Sequence, residues 1–102
     1  MSSAGAIERR LTEVSSDLRN LREELRVTES ELQHFAEEAD DARVRALVAE
    51  GPGEAQRAAR DAARHAEAIE RQRRHLLAEI ERLERTQDDL LDQLQASRGG
   101  RT

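Results

Sequence analysis

Chemistry-bearing residues are few in this chain. His34, His65 and His75 are the only histidines, and there is no cysteine. His34 and Glu38 stand four apart, the spacing at which two side chains share one face of a helix and could hold a divalent cation. Two ligands make an incomplete shell, so the spacing points to solvated, structural histidines and no metal site. The run Glu37-Glu38-Ala39-Asp40-Asp41 is rich in carboxylates. On a helix, however, consecutive residues point around the axis and do not converge on one ion. The chain contains no EF-hand spacing, phosphate-binding loop, dinucleotide fingerprint or nucleophile triad. These residues predict no catalytic group, no cofactor and no catalysis.

The elements that carry them are set by a heptad. Apolar residues recur at alternating steps of four and three, a mean period of 3.5 that marks the seam of a left-handed coiled coil. In the first half the seam is Ile7, Leu11, Val14, Leu18, Leu21, Leu25, Leu32 and Phe35, continued by Ala39, Ala42 and Ala46. In the second half it runs through Ala55, Ala59, Ala62 and Ala66 to Ile69, Leu76, Ile80, Leu83, Leu90 and Leu94. Gly51-Pro52-Gly53 breaks the pattern once. Glycine suits the residue that ends a helix, and proline cannot continue one but is accepted in the next helix's first turn. The expected architecture is all-α: an antiparallel two-helix coiled-coil hairpin. Its parts are a flexible N-terminus (1–5), helix 1 (6–50), a turn (51–53), helix 2 (54–97) and a flexible tail (98–102). Ser2 or Ser3 can cap helix 1, and Glu54 complements the dipole of helix 2. Each helix would be about 65 Å long at ~1.5 Å per residue. Glu67–Arg71, Glu70–Arg74, Glu81–Arg85 and Asp41–Arg45 are acid-before-base pairs at the helical i,i+4 spacing.

Antiparallel layers pair an a position with a d position, so the two residue numbers in each layer share one sum. A sum of 101 sets Leu11 with Leu90, Leu18 with Leu83 and Leu21 with Ile80, and it joins the polar seam pair Thr28 and Arg73. A sum of 108 would face Phe35 onto Arg73 and Leu21 onto Gln87, so 101 is expected. Arg73 is expected to reach out of the seam to a nearby carboxylate such as Glu29 or Glu31. Toward the turn both sides of the seam are alanine, which should make that end the weaker one, because an alanine layer buries far less than a leucine layer.

Leu77 and Leu91 fall at e positions beside the seam, and Val44, Leu47 and Val48 lie off it just before the turn. These five form the candidate oligomer interface, since a two-helix pair buries only its a/d stripe. Homodimerisation into a four-helix bundle would cover them. Residues 29–50 carry seven acids and two arginines, a net of −5, whereas 54–75 carry six arginines and four acids, a net of +2. This complementarity favours the antiparallel pairing.

Composition excludes other classes. The chain has 102 residues, 38% charged and 1% aromatic, with a net charge of −5. Aromatic platforms for stacking on bases are missing and the overall field repels phosphate, so nucleic acid is an unexpected partner. No apolar stretch approaches the length that spans a bilayer, and the N-terminus has no signal-peptide pattern. A cytoplasmic protein is expected. Every basic residue is arginine, which excludes lysine-directed modification.

The stretch His34-Phe35-Ala36-Glu37-Glu38-Ala39-Asp40 and its flanking pattern resemble small uncharacterised coiled-coil proteins of high-GC actinobacteria. That resemblance implies a cytoplasmic hairpin without assigned activity, and the arginine- and alanine-rich composition fits a GC-rich bacterial genome. In length and mid-chain turn the chain is also similar to the small secreted Trp-X-Gly hairpin proteins of Gram-positive bacteria. It departs from them in having no Trp and in its Gly51-Pro52-Gly53 turn, so that similarity covers shape only. The function expected is that of a non-catalytic structural or adaptor hairpin acting through self-association and protein–protein interaction. The alternatives are a secreted hairpin working as a heterodimer, or an accessory of nucleic acid or the transcription machinery acting through the Arg57–Arg74 face or the acidic tip.

Overall fold

A computed structural model describes residues 3–48 and 53–99. Among the described residues there are two helices and no strand: α1 spans Ala4–Val48 (45 residues) and α2 spans Glu54–Gly99 (46 residues). The fold is the two-helix hairpin that the heptad predicts. Gly51 and Pro52 lie outside the described residues, as do Ala49 and Glu50.

Both helix starts have a local cause. The Oγ of Ser3 accepts a hydrogen bond from the Ala6 amide at 3.1 Å, and its carbonyl accepts from the Ile7 amide at 3.0 Å. Ser3 is therefore the N-cap, satisfying donors that the first turn leaves unpaired. This corrects the expectation of a flexible 1–5 segment: the helix begins at Ala4. Gly53 offers its carbonyl to the Arg57 amide at 3.3 Å, which opens α2, and Glu54 sits in the first turn. The far end also departs from expectation. Arg98 and Gly99, expected in a flexible 98–102 tail, are helical, and Arg98 Nη2 reaches Glu8 Oε1 at 3.3 Å; residues 100–102 lie outside the described residues.

The chain divides into two compact units. The terminal unit joins Met1–Glu24 to Leu76–Thr102. Its buried residues are Ile7, Val14 and Leu18 from α1 and Leu76, Ile80, Leu83, Leu90 and Leu94 from α2, with Val14 at 0% and Leu18 at 1% exposure. Leu11 and Leu21 are half-buried. Polar contacts cross between the helices: Gln87 Nε2 donates to Ser15 Oγ at 3.2 Å, Arg22 meets Glu84 at 3.5 Å, and Arg98 meets Glu8. Numbers rise on one helix as they fall on the other, so the pairing is antiparallel. Residues 15 and 87 sum to 102, one step from the 101 register, whereas the 108 register would set Gln87 beside Leu21.

The central unit is Leu25–His75. Its buried residues are Thr28, Ala39, Ala42 and Ala62. The larger seam residues Leu25, Leu32, Phe35 and Ile69 are only half-buried. This unit closes on small side chains, each of which removes little apolar surface from water. The Phe35 ring stacks on that of His65 from the other helix, with centroids 5.2 Å apart and planes 23° from parallel. Those two numbers sum to 100, again beside the 101 register.

Candidate interaction surfaces

The heptad departs from its apolar rule at the polar residues of the seam. Thr28 is 4% exposed and is the buried polar residue of the described chain. Arg73 is half-buried, with its Nη1 3.2 Å from Glu70 Oε1. The expected exit toward Glu29 or Glu31 on the other helix is therefore corrected. Glu70 lies one turn back on the same helix, at the i,i+3 spacing where side chains already meet, so less side-chain entropy is lost. Glu70 also receives Arg74 at 3.4 Å, which makes it the centre of a two-arginine cluster. Gln87 stays at the edge of the seam and is satisfied by Ser15.

The outer faces hold acid-before-base pairs chiefly at i,i+3: Asp40–Arg43 at 3.1 Å, Asp61–Arg64 at 3.4 Å and Glu79–Arg82 at 2.8 Å. Of the four expected i,i+4 pairs, Glu70–Arg74 is formed. The hydrogen bond from Arg82 to Glu79, followed by their charge attraction, raises the Arg82 guanidinium above its ordinary pKa. All these pairs are solvent-exposed, so water and salt screen them and each contributes little to stability.

His34 and His65 are brought together around the Phe35 ring. His34 Nε2 lies 3.9 Å from Glu38 Oε1, and the His34 ring meets Phe35 edge-on at 5.3 Å. His65 stacks on Phe35 from the other helix. Among the described residues no group of three or more His, Cys, Asp or Glu side chains is placed to share a metal ion. The cluster is a packing device for a unit otherwise floored with alanine. A sequence signal existed for it: in the 101 register Phe35 faces Ala66, and His65 is the adjacent residue.

The apolar residues outside the seam are exposed. Leu77 is 37% and Leu91 49% exposed in the terminal unit, while Val44 (61%), Leu47 (80%) and Val48 (80%) are exposed in the central unit. Val27, at 49%, belongs with them; it sits at an outward c position, away from the flanks of the seam where the sequence points to spare apolar residues. Val44, Leu47 and Val48 stand at i, i+3 and i+4, so they form one patch. Leu47 also borders a surface groove of about 440 Å3 floored by Ala46 and Ala59 and bounded by Arg43, Gln56 and Arg60. The groove exists because two facing alanines leave the helices without side chains to fill the space between them.

One regularity appears in the terminal unit. Glu8–Arg98 and Arg22–Glu84 both join e positions, and both sum to 106. In antiparallel coiled coils the e positions of the two helices share one flank. Leu77 and Leu91 are e residues as well, so the e flank of this unit carries both ion pairs and both exposed leucines. Among the described residues no helix is long and apolar enough to cross a membrane. Comparison with known proteins finds no matching family model, no similar curated protein and no similar solved structure.

Proposed function

We propose that this chain is a non-catalytic structural or adaptor hairpin, working in the cytoplasm, that self-associates and presents helix faces to a protein partner. One observation carries the reading: six large aliphatic side chains stay more than a third exposed after the hairpin has closed its seam. Scattered single apolar residues on a surface are ordinary. Three of these six, however, make one contiguous patch, and two line a single flank. Both are arrangements that a second helical surface covers well, as in helix-in-groove recognition. A hairpin of this size buries a thin core, and covering these residues would add to it.

The test is solution mass by light scattering across a concentration series, for the native chain and for Leu77→Glu/Leu91→Glu. A dimer that the double variant splits, with helicity retained by circular dichroism, supports self-association through α2. A monomer at every concentration in both chains overturns it.

A further inference from the structure

We propose that the alanine-floored groove of the central unit receives a third helix: an amphipathic segment of a protein partner whose apolar stripe is flanked by carboxylates. This rests on the reading that the hairpin presents helix faces to a protein partner, and gives it a site and a partner chemistry; it does not require self-association. The groove, of about 440 Å3, is framed by the same three heptad positions on each helix. From α1 come Ala46 (a), Leu47 (b) and Arg43 (e), and from α2 come Ala59 (a), Arg60 (b) and Gln56 (e). The next e residues along the unit, Ala36 and Ala63, are again alanine, so the e positions beyond the groove stay low.

Charge selects the partner. The six residues that frame the groove include two arginines and no acid, although the chain as a whole carries −5. Arg43 holds one carboxylate, Asp40, at 3.1 Å. Arg60 holds none among the described residues, and the adjacent Asp61 is taken by Arg64 at 3.4 Å. The two arginines stand on opposite walls, one on each helix, with the apolar floor between them. That layout suits an incoming helix: apolar contacts in the middle, and on either side a cation for the acids at its e and g positions. An incoming leucine would cover Ala46, Ala59 and the side of Leu47, which is 80% exposed. Glutamates flanking it would reach Arg43 and Arg60. A lysine-flanked helix would bring like charges together, and a purely apolar one would strip water from Arg60 with nothing in exchange. A nucleic acid would meet the arginines but set phosphates against leucine and alanine, and the net charge of the chain repels it.

The experiment measures, by fluorescence anisotropy, the binding of two labelled synthetic peptides to the full chain. Both are three heptads long with leucine at a and d; one carries glutamate at e and g, the other lysine. Like charges on each peptide oppose its self-pairing. The glutamate peptide should bind about tenfold more tightly than the lysine peptide. Arg43→Glu/Arg60→Glu should invert that preference, and Leu47→Gln, at an exposed position, should weaken the glutamate peptide. Melts followed by circular dichroism check that each variant keeps the hairpin. Inversion is the deciding readout, because a variant that unfolds loses both peptides and cannot exchange them. Equal binding of the two peptides overturns the proposal, as does a preference that survives the charge reversal or is abolished by Leu77→Glu/Leu91→Glu instead. A short duplex DNA that binds as tightly as the glutamate peptide overturns it too. Light scattering separates the two claims. A dimer that Arg43→Glu/Arg60→Glu splits makes a second copy the occupant and overturns the partner helix. A chain monomeric at every concentration that still inverts its peptide preference upholds this site while overturning self-association.

Discussion

Truncating Leu18 tests the energetic grading of the hairpin most directly. Leu18 is 1% exposed and packs in the leucine-rich terminal unit, whereas Ala42, at 2%, is the most enclosed residue of the alanine-floored central unit. Removing a fully buried leucine to alanine costs about 2–5 kcal/mol, which combines lost transfer energy with the cavity left behind. Ala42→Gly loses one methyl, about 0.8 kcal/mol, and adds about 0.5–1 kcal/mol of backbone entropy in a helix interior. The expected penalties are therefore about 3 kcal/mol and about 1.5 kcal/mol. For a domain near 100 residues each kcal/mol moves the melting midpoint by roughly 4–8 °C. Leu18→Ala should fall by about 12–24 °C and Ala42→Gly by about 6–12 °C. The assay is the thermal melt followed by circular dichroism at one fixed protein concentration, since self-association makes the midpoint concentration-dependent. Equal shifts, or a larger one for Ala42→Gly, would refute the claim that the leucine layers hold the hairpin together.

Three other outcomes are expected. Ser3→Ala removes the side-chain acceptor for the Ala6 amide and should cost about 1 kcal/mol, read as a drop of a few degrees in the same melt; an unchanged midpoint would show that the first turn is not coupled to the fold. Gln87→Leu exchanges a half-buried amide for an apolar side chain in the seam and should gain about 1 kcal/mol despite losing the bond to Ser15, seen as a higher denaturant midpoint. Amides of the central unit should exchange with solvent faster than those of the terminal unit, because small buried side chains leave its local opening less costly; uniform protection across both would contradict this.

How much of the molecule was legible in the chain follows from what each feature depends on. Helix formation, the break near Gly51, and which residues turn inward depend on period and composition, both local properties. The seam positions from Ile7 to Leu94 are accordingly buried or half-buried in the structure. Glycine near each terminus suggests fraying, whereas the serine cap at Ser3 holds the first turn of α1 and the arginine at position 98 reaches Glu8 on the other helix. The partner of Arg73 differs from the expected one for a related reason. A seam position invites a cross-helix partner, yet the carboxylate one turn away, Glu70, is closer.

By itself the sequence determined two amphipathic helices, their antiparallel sense, and a seam graded from leucine to alanine, because hydrophobic periodicity sets which face a helix buries. Only the tertiary structure decided that His65 lies on Phe35, that the facing alanines leave a groove beside Leu47, and that Arg22 meets Glu84 on the flank that carries Leu77 and Leu91. Those features arise from side chains on different helices meeting at one height. Such a meeting depends on register and rotamer, which residue spacing along one helix does not specify.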